Sequence, residues 1–580
     1  MKANCIVLAS VALLLSSVTL SAQDAAAPDW SVLTRSRAHT PSATTPAISP
    51  QDLATRLYIF ADDSMMGREL GDPGNVRGVE YIASEARRIG LVPMGDSGTF
   101  FQLVNVVNRA FDSTSSLAAG KVVLTPWTEF VLRDQGPGAR SLDGAQVIYG
   151  GSIADSSLFI DPAAAVGKLV VISAPGGFNG LRPVISYATA GRHFAGAAGL
   201  AFVNLDEIPA NFASFFRAPG QLLKSATSFP QTPALIFLSR RGASALLGAS
   251  IDSAKPGLLG ATVTASPRII ETPLRYPARN VVGLIRGSDP TLQSEFVAIG
   301  AHNDHIGWST RPVAHDSIYV VNHLFRRQGA DDRPPRLTPE QQAQVNTIVA
   351  GIRQANPATA RLDSIYNGAD DDGSGSVSVL EIAEYFAAQK VKPKRSLLFV
   401  WHVGEEEGLY GSQWFTDHPS VSRDSIVAQL NIDMIGRGDA GDEIGKTKEG
   451  ALIQGGADYL QLIGSRRLST ELGDLVDAVN KAESRPLSVD YSLDANGHPQ
   501  RIYCRSDHYE YARYGIPITF FTTGGHADYH QLTDEPQYID YDKMSRVSRL
   551  VADVAERVGD LDHRPVVNQP KPDLHGRCVQ

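Results

Sequence analysis

Short apolar runs alternate with amphipathic segments in the second half of the chain. Four of the apolar runs after Thr272 have the length and the flanking residues of buried strands. They cover Phe296–Gly300, Ser396–His402, Ile426–Ile432 and a stretch that ends with Thr519–Thr523. Apolar residues at helical spacing predict helices between these strands, over Gly375–Gln389, Gly408–Asp417, Ser469–Ala482 and Tyr541–Val558. Buried strands that alternate with helices indicate an α/β sheet covered by helices on both faces.

The first half of the chain contains two regions with different sequence patterns. Residues 49–124 contain helical spacing over Ser49–Asp62 and Asn75–Ile89 and a strand-like run over Phe101–Val107. From residue 125 to residue 272, short β-rich runs alternate with turns rich in Gly and Ala. We therefore predict a small β-rich domain at 125–272, inserted into a larger domain formed by 49–124 and 273–562.

Four other segments are distinguished by their composition or their length. Residues 1–22 contain one charge, a short apolar run and then small residues, which is the order of a cleavable signal peptide. The apolar run is shorter than the ~20 residues of a membrane-spanning helix. We predict a secreted or periplasmic protein that is free of the membrane after cleavage, with a flexible lead-in at 23–48 and a Pro-rich tail at 563–580. The connection at 308–366 is long enough to act as a lid, and its helix is predicted to start at Thr338–Gln341.

Composition and charge limit the classes of molecule that the protein is expected to bind. The 580 residues include 53 Lys and Arg against 62 Asp and Glu, a net charge of −9. This balance excludes a nucleic-acid binder, which needs a basic surface. Of the 3 cysteines, Cys504 and Cys578 remain after signal cleavage, and the sequence leaves open whether they form a disulfide or two free thiols.

Histidines and carboxylates are concentrated beside the predicted strands. They occur in Ala301–His305, Gly368–Gly375, Gly404–Gly408, Asn431–Met434 and Asp528–His530. Imidazole and carboxylate ligands without thiolates suit zinc or a similar divalent ion. Several carboxylates at one edge of a sheet repel each other unless some are protonated or cations lie between them. The number of candidate ligands is sufficient for two metal ions that share one carboxylate.

Local spacing suggests individual roles for some of these residues. His302 and Asp304 are two positions apart at a strand end, so both side chains can project the same way. Asp304 is then placed to accept the spare ring N–H of His302, a common arrangement behind a metal-bound histidine. Glu405 and Glu406 are adjacent and must project differently, so one can bind metal while the other acts as general base.

Six motifs occur in an order that resembles a known family. They are AHNDHIG, GADDDGSG, EEEGLYGS, NIDMIG, SDH at Ser506–His508, and YHQLTDE. In these motifs the chain is similar to the di-zinc exopeptidases of the aminopeptidase Y and bacterial leucyl aminopeptidase type, clan MH. The resemblance implies a mixed central sheet, two zinc ions that cobalt or manganese can replace, and a protease-associated domain in the inserted β-rich region.

The resemblance also implies roles for individual residues. His302 and Glu406 would bind one zinc ion, Asp433 and His530 would bind the other, and Asp371 would bridge the two. Glu405 would be the general base. Tyr503, which precedes the SDH motif, lines up with a tyrosine that stabilises the oxyanion in some relatives.

The resemblance makes an aminopeptidase that acts on peptides the leading hypothesis. A carboxypeptidase or dipeptidase of the glutamate carboxypeptidase type and a glutaminyl cyclase are alternatives on a similar scaffold. A binding protein without catalytic metals, such as the transferrin-receptor ectodomain, is a remote alternative, because every ligand position is filled here. Oligomeric state and side-chain preference are left open.

Overall fold

Helices are distributed along the whole described chain. The computed structural model describes residues 28–133, 138–176, 182–208, 217–224, 231–574 and 576–580, so the predicted signal peptide at 1–22 lies outside it. The helices are α1 (Pro50–Phe60), α2 (Pro73–Ile89), α3 (Pro162–Ala165), α4 (Arg182–His193), α5 (Arg240–Leu247), α6 (His315–Phe325), α7 (Pro339–Ala355), α8 (Gly375–Ala388), α9 (Tyr410–Asp417), α10 (Thr470–Ala482), α11 (His508–Ala512) and α12 (Tyr541–Asp560).

The strands fall into a first group up to residue 273 and a second group after it. The first group is β1 (Val92–Pro93), β2 (Phe101–Leu103), β3 (Val106–Phe111), β4 (Ser116–Ala119), β5 (Val122–Val123), β6 (Phe130–Arg133), β7 (Gln146–Ser152), β8 (Leu169–Ser173), β9 (Gly199–Val203), β10 (Gly220–Leu223), β11 (Ala234–Leu238), β12 (Leu259–Ser266) and β13 (Ile269–Pro273). The second group is β14 (Arg279–Ile285), β15 (Phe296–His302), β16 (Trp308–Ala314), β17 (Leu362–Ile365), β18 (Ser396–His402), β19 (Ile426–Ile432), β20 (Glu443–Lys446), β21 (Leu452–Gln454), β22 (Tyr459–Ile463), β23 (Ser488–Asp490) and β24 (Ile518–Thr522).

A mixed sheet forms the centre of the larger domain. Its strand order is β1-β14-β18-β15-β19-β24-β22-β23, and β2 also pairs with β14. The neighbours β18, β15, β19 and β24 run parallel, whereas β14 and β22 run antiparallel to them on either side. The mixed α/β class expected for this domain is confirmed.

Helices cover both faces of this sheet. Alternate residues of each strand point to opposite faces, so Val297 and Ile299 of β15 join one apolar cluster while Ala298 joins another. The first cluster includes residues of α1, α2, α8 and α12, and the second includes residues of α9 and α11. Each face therefore has its own core, as the apolar runs of the strands predicted.

Local sequence signals explain where several helices begin. Ser49 accepts the backbone N–H of Asp52 and Pro50 occupies the first helical position, so α1 starts as predicted. Thr338 and Gln341 form a reciprocal capping box at the predicted start of α7, which ends at Ala355.

The inserted region builds a second sheet with its own core. It begins before the predicted boundary at residue 125, because β4 pairs with β12 and, with β5, belongs to this sheet. The order of this sheet is β5-β4-β12-β7-β8-β9-β11-β6, and β7, β8, β9 and β11 are parallel. Its apolar cluster contains Val170, Phe194, Phe202 and Leu238, all fully buried. A separate three-stranded sheet, β10-β3-β13, lies where the chain enters and leaves the insertion. The identification of this region as a protease-associated domain stays a prediction.

The described part of the lead-in packs against the larger domain. Thr44 donates a hydrogen bond to the Glu384 carboxylate at 2.8 Å, and Arg549 donates to the backbone carbonyl of Ile48 at 3.3 Å. Arg35 donates to the carbonyl of Gln537 at 3.3 Å. Residues 28–48 therefore make tertiary contacts that the composition of the lead-in did not predict.

The C-terminal tail is also held in place. Cys504 and Cys578 form a disulfide with their Cα atoms 5.8 Å apart, which decides between the two alternatives left open by the sequence. The side chain of Gln580 donates to the carbonyl of Leu493 at 2.6 Å and accepts the backbone N–H of Tyr503 at 3.0 Å. None of the described helices combines the length and the hydropathy that crossing a bilayer requires.

Candidate metal centre and active site

The carboxyl ends of the parallel strands bring the predicted ligands together. β15 and β18 are in parallel register from Phe296 opposite Ser396 to His302 opposite His402, so both strands end at the same edge. The segments that follow β18, β19 and β24 carry Glu405 and Glu406, Asp433, and His530, respectively. In an open α/β sheet this edge is where ligands bind.

One group of possible ligands surrounds His302. Its Nε2 atom lies 3.1 Å from Oδ1 of Asp371 and 3.7 Å from Oδ1 of Asp433. The His302 Nε2 and Asp433 Oδ1 atoms are buried, and neither has a hydrogen-bond partner among the described residues. Asp372 joins the group and accepts the backbone N–H of His302 at 3.1 Å.

A second group surrounds His530. Its Nε2 atom lies 2.9 Å from Oδ2 of Asp371 and 3.0 Å from Oε2 of Glu406. His305 belongs to the same group, with Nδ1 2.8 Å from Oε1 of Glu406. The two oxygens of Asp371 therefore face different groups, Oδ1 towards His302 and Oδ2 towards His530.

The pairing of ligands implied by the resemblance is wrong. Glu406 lies beside His530 rather than His302, and Asp433 lies beside His302 rather than His530. Motif order identified the residues but not their partners, because each comes from a different loop and the direction of its side chain depends on how those loops pack. The place of Asp371 between the two groups matches the implied arrangement.

The electrostatics of the cluster favour bound cations. Burial opposes ionisation of Asp371, but His302 and His530 hold its pKa well below the ordinary value. Burial raises the pKa of Asp433 above its ordinary value, with a further contribution from the charge of Asp371. A cation bound among these carboxylates would favour the ionised form of both. With two buried and unpartnered ligand atoms, the donor set fits a divalent metal centre.

Glu405 lies in the same pocket as these ligands. It lines the pocket together with Asp371, Asp433 and His530. Burial raises the pKa of Glu405 well above its ordinary value, and the charges of Glu406 and Asp433 add to this effect against that of His302. A carboxylate with a raised pKa is a stronger proton acceptor, which is the property of a general base.

Asp304 supports the site in a different way from the one expected. His302 Nδ1 faces the backbone carbonyl of Asp304 at 3.1 Å, whereas the nearest carboxylate oxygen of Asp304 is 3.7 Å away. The carboxylate instead accepts the backbone N–H groups of Glu405 and Glu406, at 3.2 and 3.4 Å. Asp304 thus orients His302 through its main chain and holds the loop of the two glutamates through its side chain.

Tyr503 does not reach the pocket, so its expected role is wrong. Its ring is 3 % exposed, lies edge-on to Tyr509, and has the guanidinium of Arg467 4.6 Å from its centre. It is absent from the pocket-lining residues, which include Tyr529 instead. Proximity to the SDH motif in sequence suggested Tyr503, but the short helical turn at Ile502–Cys504 packs its ring into the core.

The wall of the pocket combines apolar and charged side chains. The apolar lining consists of Met434, Ile444, Leu493, Ile502 and Phe520. Asp331, from the long connection at 308–366, lines the pocket opposite Arg505, with two N–O distances of 3.3 Å between them. Arg505 also donates to the hydroxyl of Tyr529 at 3.1 Å. The long connection therefore contributes directly to the pocket.

The sequence analysis assigned no role to several residues in or beside the pocket. His305 lies three positions after His302 in the AHNDHIG motif, and this spacing is a usable signal. Tyr529 precedes His530 and was equally close to a predicted ligand. Asp331 and Arg505 gave no signal, because only tertiary structure brings them to the pocket.

A third His–carboxylate group differs from the first two because arginine side chains pair with its carboxylates. His315, Asp363 and Glu535 are buried together. Arg361 forms ion pairs with both carboxylates, and Arg37 lies 3.4 Å from Glu535. Because these guanidinium groups already balance the charge, we interpret the group as an ion-pair network that fastens the 308–366 connection to the sheet.

An α/β sheet with His–carboxylate groups at its carboxyl edge is typical of metallohydrolases. Residues 348–555, which include Asp371, Glu405, Glu406 and Asp433, match the family model described as Peptidase family M28. Over this segment the chain is similar to peptidase family M28, which confirms the resemblance found in the sequence motifs.

Individual relatives cover smaller parts of the chain. A vacuolar membrane protease of Verticillium alfalfae is 46 % identical over 112 residues, 19 % of this chain and 11 % of that protein. Leucine aminopeptidase 1 of Paracoccidioides brasiliensis is 28 % identical over 214 residues, 35 % of this chain and 50 % of that protein. The chain thus spans half or less of the length of these curated relatives. The solved aminopeptidase from Aneurinibacillus sp. strain AM-1 is 17 % identical, with a TM-score of 0.43 over 90 % of this chain and 97 % of that one.

Proposed function

We propose that this protein is a zinc-dependent aminopeptidase that removes N-terminal residues from peptides. The observation that carries the proposal is the position of Asp371, whose two oxygens face two separate His–carboxylate groups beside Glu405. A shared carboxylate between two such groups is the arrangement that a two-metal hydrolase needs.

The two groups of ligands divide between the two metal ions. His302 and Asp433 would hold one zinc ion, Glu406 and His530 would hold the other, and Asp371 would contact both. When bound, the two ions polarise the scissile carbonyl and lower the pKa of an attacking water. Cobalt and manganese accept the same nitrogen and oxygen donors and are expected substitutes.

The side chains of the pocket supply the remaining steps. Glu405 takes the proton of the attacking water and returns it to the nitrogen of the leaving peptide. The apolar wall formed by residues such as Ile444, Leu493 and Phe520 receives an apolar N-terminal side chain. Burial of the cluster excludes bulk water, which strengthens each of these electrostatic interactions.

Three further features belong to this proposal. The signal-like segment 1–22 and the disulfide Cys504–Cys578 support export to an oxidising compartment, either outside the cell or in the periplasm. The connection at 308–366 acts as a lid or wall, because Asp331 lines the pocket. The inserted sheet acts as a protease-associated domain that shapes the access of peptide substrates.

A carboxypeptidase or dipeptidase is the second candidate function. The observation in its favour is Arg505, a guanidinium in the pocket that is suited to bind the terminal carboxylate of a peptide. Its partner Asp331 already occupies that guanidinium, which favours the aminopeptidase.

The test compares short peptides with free and with N-acetylated termini, and identifies the products by mass. We expect loss of the N-terminal residue from free peptides only, with no loss after chelation. Glu405→Gln should lower kcat by about 10²–10⁴ while zinc stays bound, because the ligands are intact and only the proton acceptor is removed. Cleavage of blocked peptides from the other end would move the assignment to a carboxypeptidase, and loss of ammonia from N-terminal Gln would move it to a glutaminyl cyclase.

A further inference from the structure

His305 contacts a predicted metal ligand from within the core. The side chain is 1 % exposed, and its Nδ1 atom lies 2.8 Å from Oε1 of Glu406. The other oxygen of Glu406, Oε2, lies 3.0 Å from Nε2 of His530. Glu406 is therefore held between two imidazoles, one at each oxygen.

The backbone around His305 is shaped to receive its ring. Gly368 has φ +55°, and a Cβ atom at this position would lie 2.5 Å from Cγ of His305. Arg68, which is fully buried, donates to the carbonyl of Gly368 at 2.8 Å and accepts the backbone N–H of His305 at 3.3 Å. The absence of a side chain at Gly368 and the clamp formed by Arg68 fix the position of the imidazole.

The two histidines of the AHNDHIG motif differ in the hydrogen bonding of the second ring nitrogen. His302 directs Nδ1 to the carbonyl of Asp304, which leaves Nε2 free for a metal ion. A metal-bound histidine normally donates its second ring N–H in this way. In His305 the second nitrogen, Nε2, is buried and has no hydrogen-bond partner among the described residues. This pattern fits a histidine that donates through Nδ1 to a carboxylate better than one that binds metal.

We propose that His305 is a positioning residue that donates its Nδ1–H to Oε1 of Glu406 and so directs Oε2 towards Asp371 and His530. The inference rests on the proposed function, because the orientation of Glu406 matters only if Glu406 binds a metal ion. Fixing the carboxylate removes its rotational freedom before the metal arrives. One of the two zinc ions should therefore bind more tightly than it would without this hydrogen bond.

The test measures the zinc affinity of purified protein by competition with a chelating indicator, so it does not depend on peptide cleavage. His305→Ala should weaken one of the two zinc ions by about 10–100-fold, the usual cost of losing a partner behind a metal ligand. His305→Asn should restore most of that affinity, because the asparagine amide can place an N–H close to the position of Nδ1. His305→Gln places its amide farther from the backbone and should behave like the alanine variant.

A matched control separates this effect from general loss of stability. His508 is also a fully buried histidine, but it contacts the carbonyl of Tyr503 and belongs to neither ligand group. His508→Gln should leave both zinc affinities unchanged. If His305→Ala does not fold, the comparison of the asparagine and glutamine variants tests the same hydrogen bond.

The absorption spectrum of the cobalt-substituted protein gives a second measurement. The alanine variant should change the visible band of one cobalt ion, and the asparagine variant should recover the wild-type band, because the ligand set is unchanged. Equal zinc affinities in wild-type protein and His305→Ala would overturn the inference alone. An asparagine variant as weak as the alanine variant would also overturn it, since His305 would then bind the metal itself. A wild-type protein that binds no zinc would overturn the proposed function together with this inference.

Discussion

The central sheet and the inserted sheet share an architecture but differ at their strand ends. Both contain a run of parallel strands, β18-β15-β19-β24 in one and β7-β8-β9-β11 in the other. In the central sheet the parallel strands lead into His302, Glu405, Asp433 and His530. In the inserted sheet the residues directly after three of these strands are the small or neutral Ala174, Asn204 and Ser239.

This difference shows where the chemistry of the molecule lies. Among the described residues of 112–268, the buried polar side chains are limited to Ser115, Glu129, Asn204 and Ser239. The central sheet instead buries a dense set of acids and imidazoles at one edge, at a high desolvation cost that a bound cation offsets. The inserted sheet thus has an almost entirely apolar core, whereas the central sheet has a buried polar edge that carries the candidate ligands.

The largest expected effect follows from removing the charge of Asp371. Asp371→Asn should abolish binding of both zinc ions and lower activity below detection, because this side chain faces both ligand groups. Zinc content measured by elemental analysis after dialysis tests the prediction. Asp206→Asn in the inserted domain is the control and should retain two zinc ions, and retention of both ions by the Asp371 variant would disprove the shared role.

The next effect concerns the core of the inserted sheet. Phe202 is fully buried and its ring centre lies 4.3 Å from that of Tyr187. Phe202→Ala should lower the free energy of unfolding of the inserted domain by about 3–5 kcal/mol, as expected for a buried phenylalanine. Chemical unfolding followed by fluorescence measures this change, while zinc content should stay the same. Loss of zinc in this variant would show that the two sheets are not energetically independent.

A smaller effect is expected from the disulfide, which ties the tail to the central domain. Cys578→Ser should lower the free energy of unfolding by about 2–4 kcal/mol, because the reduced chain gains conformational freedom when unfolded. Thermal unfolding with and without a reducing agent measures it. The reductant should lower the Tm of wild-type protein to that of the variant and leave the variant unchanged, and any other pattern would contradict the prediction.

The last prediction, which has no effect near neutral pH, is a pH dependence that arises from His508. Burial lowers the pKa of its imidazole to about 3, so the native state binds fewer protons than the unfolded state below pH ~6.5. This residue should therefore cost stability as the pH falls from about 6.5 to about 3, at up to about 1.4 kcal/mol per pH unit. In metal-free protein, His508→Gln should flatten the fall in unfolding free energy over this range, and equal slopes in both proteins would refute the assignment.

Much of the fold could be predicted because its signals are local. The strands Ser396–His402 and Ile426–Ile432 have the bounds expected from their apolar runs, and α7 starts at the capping box of Thr338 and Gln341. The lead-in at 28–48 could not be predicted in this way, because hydrogen bonds to residues such as Glu384, hundreds of positions away, hold it in place.

The candidate site was also predictable only in part, for the same reason. The sequence by itself determined which residues could do the chemistry, since His302, Asp371, Glu405, Glu406, Asp433 and His530 stand out by type and by their place after strands. Only the tertiary structure decided that Glu406 faces His530 and His305, that Tyr503 points into the core, and that Asp331 lines the pocket. The physical reason is that residue type and strand position are properties of short segments, whereas side-chain direction depends on loops that pack together only when the whole sheet has formed.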